Sequence, residues 1–245
     1  RRSSDLMDKY YKRGEKVKDE YTIIKELGEG RYGIAYLAKN DKKEKVVVKQ
    51  LKKKMLKETR EKLFYEQKIL QSLDNQAFPN FIGKFKDHYR EGYILEYFEG
   101  TDFEDLIVNE RCRFTKEDIY HIASQLLDLM EVLHKNNIVH RDIRLPNVIV
   151  KRNMELAVID FGLARFIDNK RYVPQTDYWY LGDFLIHLYY TSYKNINDED
   201  KPWFEELDLT TNEKIFLKRL MGLEEEYNNL QEIREQLEKI RNNNN

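Results

Sequence analysis

Hydrophobic positions along this chain change their period twice. From Tyr21 they fall in short runs rich in β-branched and aromatic residues, YTIIKELG, GIAYLAK and KVVVKQL, separated by glycine or charged turns. Such runs predict antiparallel strands, with KKEK at 42–45 as a hairpin tip. Residues 53–73 switch to helical spacing, with Leu56, Leu63, Leu70 and Leu73 on one stripe. Strand-like runs return at NFIGKFKDHY and GYILEYFEG. Beyond Gly100 the pattern is mostly helical. Thr115 followed three residues later by Asp118 reads as a capping box with Asp in place of Glu, opening a helix whose apolar face is Ile119, Ile122, Leu126, Leu129 and Leu133. VIV and LAVID are strand-like and bracket a turn at 151–154, and helices are expected near 177–193, 211–222 and 228–241.

This order predicts an α+β architecture of two lobes, a small antiparallel-sheet lobe over 21–97 and a larger, mainly helical lobe over 98–241, with a cleft where they meet. Residues 1–20 are highly charged with little apolar periodicity and read as an extension, and 242–245 read as a disordered, solvated tail. No internal repeat or Pro/Gly-rich linker interrupts the pattern.

Composition narrows the function classes. Lys plus Arg total 43 against 44 for Asp plus Glu, a net charge of -1, which argues against a dedicated nucleic-acid binder. The 245 residues suffice for a sizeable core. The lone cysteine, Cys112, builds neither a disulfide framework nor a thiolate zinc site, so a reducing compartment, the cytoplasm, is expected. The apolar runs are too short to span a bilayer and no signal peptide is visible, although the chain begins at Arg1 and a segment before it stays open.

Several polar residues stand where bulk patterning does not call for them. Gly28, Gly30 and Gly33 have G-x-G-x-x-G spacing in GEGRYGIAYLA, a loop whose backbone can approach phosphate oxygens. A dinucleotide-binding turn needs a helix directly afterwards, and here a strand follows. Lys49 ends an apolar strand beyond that loop, within reach of ligand phosphates. Glu66 lies on the apolar stripe of its helix, where an unpaired carboxylate is costly, and is the expected partner of Lys49. Glu58 and Glu61 fall off the stripe. In IVHRDIRLPNVIV, Asp142 can accept a proton from a hydroxyl and Asn147 can ligate a hard cation. Asp160 follows thirteen residues after Asn147 and, like it, offers oxygen of the kind that suits Mg²⁺.

Taken in order, Gly28-x-Gly30-x-x-Gly33, Lys49, Glu66, His140-Arg141-Asp142…Asn147 and Asp160-Phe161-Gly162 resemble the motif series of eukaryotic-type protein kinases, over roughly residues 21–240. The resemblance implies that the glycine loop, Glu29 included, covers the phosphates of ATP. It implies that Lys49, paired with Glu66, holds the α- and β-phosphates. By the same resemblance Asn147 and Asp160 are expected to bind Mg²⁺, Asp142 to receive the proton of the attacking hydroxyl, and Arg144 to lie near the γ-phosphate. YILEYFEG is similar to the family's hinge, with Leu95 as gatekeeper, Glu96 and Phe98 offering backbone groups to adenine, Asp102 reaching the ribose and Ile149 closing the pocket floor. Ala35 and Val47 stand where the family usually has Val and Ala, a swap that conserves volume.

The resemblance breaks after Asp160-Phe161-Gly162. TDYWYLGDFL resembles the family's large helix, anchored by Asp177, so only LARFIDNKRYVPQT intervenes. It has no Ala-Pro-Glu, and the family's Arg partner for that Glu is replaced at the corresponding place by Tyr227. Both halves of a buried ion pair are absent together. The expectation is a phosphotransferase of minimal type, acting on Ser/Thr hydroxyls of a protein, itself included, without the usual phosphorylation switch; only Tyr172 and Thr176 in the segment could accept phosphate. A small-molecule kinase and a partner-binding pseudokinase are the alternatives.

Overall fold

A computed structural model of the chain describes residues 7–194 and 201–243. It divides into two compact units at Glu99/Gly100.

The first unit is a six-stranded antiparallel sheet in the order β1-β2-β3-β4-β6-β5. Its strands are β1 (Lys16–Val17), β2 (Tyr21–Glu29), β3 (Gly33–Lys39), β4 (Lys45–Leu51), β5 (Phe81–Lys86) and β6 (Glu91–Glu96). The expected hairpin tip joins β3 to β4, closed by Asn40, which bonds Glu44 through both backbone and side chain. Strand alternation sorts the side chains onto two faces. On one face Ile34, Tyr36, Ala38, Val46, Val48, Phe85 and Ile94 form the core cluster. Tyr11 and Val17 belong to the same cluster. Tyr11 meets Tyr36 edge-on at 5.5 Å and lies 3.5 Å below the Arg90 guanidinium. Residues 7–20, expected as a charged extension, are anchored to the sheet's core through Tyr11 and Val17, while Met7 and Tyr10 stay exposed; two anchors are too few for the local pattern to register. No helix is present among them.

The helical stretch expected over 53–73 is two helices, α1 (Lys53–Leu63) and α2 (Tyr65–Gln71), with Leu73 beyond the second. The backbone leaves helical geometry at Phe64 (φ −91°, ψ 4°). There the ring is covered by the Lys84 ammonium at 4.4 Å, a tertiary contact that the leucine stripe does not encode.

In the second unit, β7 (Gly100–Asp102), β9 (Val148–Lys151) and β10 (Leu156–Val158) form a three-stranded sheet, and β8 (Ile138–Val139) pairs with β11 (Arg165–Phe166). The helices are α3 (Phe103–Val108), α4 (Lys116–Lys135), α5 (Gln175–Tyr190), α6 (Trp203–Glu206), α7 (Thr211–Leu220) and α8 (Leu230–Asn243). The capping box of Thr115 and Asp118 is present. Ile119, Ile122, Leu126 and Leu133 are buried as expected, but Leu129 is half-buried while Leu127 and Met130 are fully buried. The apolar face is wider than a single stripe because α4 packs against both α5 and α8. Residues 242 and 243, expected in a solvated tail, belong to α8, which runs to Asn243; residues 244–245 lie outside the described residues.

Glu213 ties three helices together. It is almost fully buried on α7 and accepts from Lys116 Nζ (2.8 Å) and Tyr120 on α4 and from Tyr189 (3.1 Å) on α5. Burial raises its pKa, but Lys116 and Tyr120 outweigh burial and hold the carboxyl below its ordinary value.

Candidate active site

In the first unit, strand register gathers one group of the expected site residues. Ala35 pairs with Lys49, Lys49 with Tyr93, and Val47 with Leu95; Gly28 pairs with Ala35. Gly28, Ala35, Val47, Lys49, Tyr93 and Leu95 thus share the face opposite the core cluster. Ala35 and Val47 are diagonal neighbours there, as a compensating pair requires.

Lys49 Nζ donates to Glu66 Oε2 at 2.7 Å. Glu66 sits on α2 and is 1 % exposed, and the Tyr93 hydroxyl donates to the same oxygen. Tyr93 was missed by sequence reasoning, although counting two residues back from Leu95 places it on the Lys49 face.

The glycines divide by role. A Cβ at Gly33 would lie 2.6 Å from the Gln50 carbonyl oxygen, so this glycine admits β4. A Cβ at Gly28 or Gly30 would meet nothing within 4 Å, so these two leave backbone bare rather than filling a packed contact. Glu29, expected beside the phosphates, has its carboxylate engaged elsewhere: Lys52 Nζ lies at 2.5 Å and the Tyr10 hydroxyl donates at 3.0 Å. Leu95 and Glu96 end β6, and Phe98 follows in irregular backbone. The Glu96 N–H donates to the Asn80 carbonyl (2.9 Å) and its carboxylate accepts from Asn80 Nδ2 (2.8 Å).

In the second unit, Asp102 pairs with Ile149 across β7 and β9. Asp102 caps α3 by accepting from the Asp105 N–H at 2.9 Å, and burial pushes its carboxyl up.

The loop after β8 brings Asp142, Arg144 and Asn147 together. Asp142 Oδ1 accepts from Arg144 Nε (2.5 Å). Its Oδ2 accepts from Arg144 Nη2 (3.2 Å) and Asn147 Nδ2 (2.9 Å), and Asn147 Nδ2 also reaches the Asp142 carbonyl (3.0 Å). The forked guanidinium fixes the plane of the carboxylate. The loop is held from beneath by Asp177, on the first turn of α5 and fully buried. Its Oδ1 accepts from the Arg141 N–H (2.8 Å), and its Oδ2 from the His140 N–H (3.0 Å) and His134 Nε2 (2.9 Å). His140 Nδ1 accepts from the Asp142 N–H (3.2 Å), which leaves Nε2 as the donor to the Ile159 carbonyl (3.2 Å). Burial pushes the His140 pKa down, in keeping with that neutral tautomer. The His140 ring meets Phe161 at 4.6 Å.

Asp160 follows β10 in the left-handed conformation (φ 59°, ψ 75°), with Oδ1 accepting from the Gly162 N–H at 3.3 Å. The Ile159 N–H donates to the Asn147 carbonyl (2.9 Å), so Asn147 and Asp160 flank the same end of the β9–β10 hairpin. The pair offers an amide oxygen and a carboxylate, ligand types that fit Mg²⁺ when phosphate oxygens complete the shell. No cluster of three or more His, Cys, Asp or Glu capable of holding a metal occurs among the described residues.

The short segment after Gly162 is held by side-chain contacts of its own. Asp168 Oδ1 accepts from the N–H groups of Lys170, Arg171 and Tyr172 (2.9, 2.9 and 2.8 Å), folding residues 168–172 into a turn. Arg141 donates to the Leu163 carbonyl (3.0 Å) and covers the Tyr172 ring at 4.8 Å. Tyr227 is buried against Phe216, with the Arg219 guanidinium 3.9 Å over its ring.

Residues 21–198 match the family described as the protein kinase domain. The chain belongs to the protein kinase family. It is 35 % identical over 240 residues to the "Probable serine/threonine-protein kinase YbdM" of Bacillus subtilis (strain 168), covering 95 % of this chain and 93 % of that protein. It is 33 % identical over 154 residues to the CTD kinase subunit alpha of Saccharomyces cerevisiae, covering 61 % of this chain and 29 % of that protein. To human serine/threonine-protein kinase Nek5 it is 29 % identical over 196 residues, covering 69 % of this chain and 28 % of that protein. This protein kinase is thus similar to one bacterial relative over nearly the whole of both chains, and spans under a third of the two eukaryotic ones. No helix among its described residues is long and apolar enough to cross a membrane.

Proposed function

We propose that this protein kinase uses ATP and Mg²⁺ to phosphorylate Ser/Thr hydroxyls of proteins, its own included, in the cytoplasm. The observation that carries the reading is the Asp142 carboxylate, clamped by Arg144 and Asn147 on a loop that Asp177 and His140 hold. Lys49, charge-paired with Glu66, is the proposed contact to phosphate oxygens, a role that the ion pair supports. Asn147 and Asp160 are the residues to hold Mg²⁺, which supplies charge neutralisation on the phosphates. The acceptor hydroxyl gives its proton to Asp142 as its oxygen bonds to the γ-phosphorus. The bond to the bridging oxygen breaks and ADP leaves. Positioning and electrostatics carry such a transfer, with little covalent work for the protein. Gly28, Gly30, Ala35, Val47, Leu95, Glu96 and Phe98 from the first unit, with Asp102 and Ile149 from the second, are the proposed nucleotide contacts. Ser/Thr specificity is supported by the names of two of the relatives.

A small-molecule acceptor is the second reading, favoured by the brevity of residues 163–176. Purified protein with labelled ATP and Mg²⁺ separates the two. Transfer to itself or to a generic protein, lost in Asp142→Asn, supports the protein kinase. Transfer only to added metabolites supports the alternative, and nucleotide binding without transfer contradicts both.

A further inference from the structure

The N-terminal segment runs beside the glycine turn: Asp8 and Lys9 bond to residues 50–53, at the end of β4 and the start of α1, and Tyr10 bonds to the turn itself. The Asp8 carboxylate accepts from the Lys53 N–H at 2.8 Å. The Lys9 carbonyl accepts from Gln50 Nε2 at 3.2 Å, and Gln50 is itself buried. The Tyr10 hydroxyl donates to Glu29 Oε2 at 3.0 Å. Tyr11, next in the chain, is anchored in the core and fixes the direction from which Tyr10 arrives.

Lys52 closes the arrangement. Its backbone N–H donates to the Tyr32 carbonyl at 3.0 Å, holding the β3 side of the turn. Its ammonium lies 2.5 Å from Glu29 Oε1, holding the β2 side. Within the turn the Gly30 N–H donates to the Gly33 carbonyl at 2.9 Å. The side-chain chain Tyr10–Glu29–Lys52 therefore spans both legs of the glycine turn, three residues beyond Lys49. The titration directions agree with this geometry: Lys52, then Tyr10, hold the Glu29 carboxyl down, and Glu29 raises both Lys52 and Tyr10.

We propose that residues 8–10 form a strap that sets the position of the glycine turn through the Tyr10–Glu29–Lys52 contacts, which makes Glu29 and Tyr10 positioning residues for the nucleotide rather than ligands of it. The effect on the turn stands on the contacts above, while its consequence for ATP rests on the proposed function. Glu29 lies inside the glycine motif, and for that reason the motif alone assigns it to the phosphates. The structure instead gives both of its oxygens a protein partner. The strap also explains why a sparsely apolar segment is packed: Tyr11 provides burial, and Asp8, Lys9 and Tyr10 provide the hydrogen bonds.

The test uses the full chain and Tyr10→Phe, which removes one hydroxyl and keeps the ring, with Glu29→Gln and the double variant beside it. Hydrogen–deuterium exchange of residues 28–33 is read without nucleotide. Exchange of that turn is expected to quicken about threefold to fivefold in each single variant, the weight of one exposed hydrogen bond or ion pair. Calorimetry with Mg²⁺ and ATP is expected to show a weaker Kd by a similar factor. kcat at saturating ATP stays within about twofold for Tyr10→Phe, since that residue touches no reacting atom. The double variant is expected to be less than additive, because both changes release one contact. Unchanged exchange at 28–33 in Tyr10→Phe overturns the strap whether or not ATP is used. Quickened exchange with an unchanged Kd overturns its role in nucleotide positioning. Nucleotide binding without phosphate transfer by the unaltered protein contradicts the proposed function and leaves the exchange result to decide the strap.

Discussion

Asp177→Asn is predicted to damage the loop that carries Asp142 from below, by an amount that the geometry sets. The carboxylate is fully buried and accepts three bonds, two on Oδ2 from His140 N and His134 Nε2 and one on Oδ1 from Arg141 N. An asparagine has one acceptor oxygen. Oriented to keep two of the donors, it turns its NH₂ against the third and leaves a buried N–H unpaired, at about 1–3 kcal/mol. The two retained bonds lose their ionic partner, about 1 kcal/mol each. The sum is about 3–5 kcal/mol, a large part of a typical domain's stability of about 5–15 kcal/mol. For a chain of this size that corresponds to a melting temperature lowered by about 10 °C. His134→Leu removes one donor and keeps the carboxylate, so its cost is expected near 1–2 kcal/mol by the same reasoning. Circular dichroism melts of the three proteins measure the differences, and kcat follows the loop. If Asp177→Asn melts within a degree or two of the unaltered protein and keeps its kcat, the role assigned to Asp177 is wrong.

Gly33→Ala is expected to destabilise the first unit, because its Cβ would meet the Gln50 carbonyl, whereas Gly28→Ala and Gly30→Ala keep the melting temperature and act only on nucleotide affinity; paired melts and ATP titrations distinguish them. Lys49→Met is expected to abolish transfer and to leave a nearly buried Glu66 with only Tyr93 of these two partners, costing about 3 kcal/mol by chemical denaturation. His140 is held neutral by burial, so its folded pKa lies below the ordinary value of 6.5. The unfolded chain then binds the extra proton first, and stability falls as pH drops below about 6.5, by at most ~1.4 kcal/mol per pH unit. Denaturation at pH 7.5 and 5.5 should show that loss, and His140→Gln should reduce it.

Much of this architecture was legible because the signals were local. Strand alternation around VVVKQL, the Thr115–Asp118 box and the apolar spacing of α4 each declare themselves within a few residues, and Glu66 stood out as an acid on an apolar stripe. The opposing examples depend on distant partners. Tyr11 has no periodic neighbours, yet it joins a core formed by residues far along the chain. The break at Phe64 comes with a cation from β5 lying over its ring. β8 and β11 are two residues each, too short to carry a pattern, and exist through their pairing with each other. At the site, motif order located Asp142, Asn147 and Asp160, but the clasp of Arg144 and Asn147 on Asp142, and the donation of Tyr93 to Glu66, are properties of geometry that spacing does not contain. Glu29 marks the limit most sharply: its place in the motif implies a phosphate, and its neighbours are Lys52 and Tyr10.

Asp142 has the proposed role of base in an ATP-dependent transfer to a protein hydroxyl. Its most direct test is the transfer of labelled γ-phosphate to the protein itself and to a generic protein substrate, with Mg²⁺, for the unaltered chain and for Asp142→Asn. Incorporation on Ser or Thr is expected to fall by at least about 10²-fold in Asp142→Asn, the scale of a lost general base, with the ATP Kd little changed. Equal incorporation by the two proteins would contradict it.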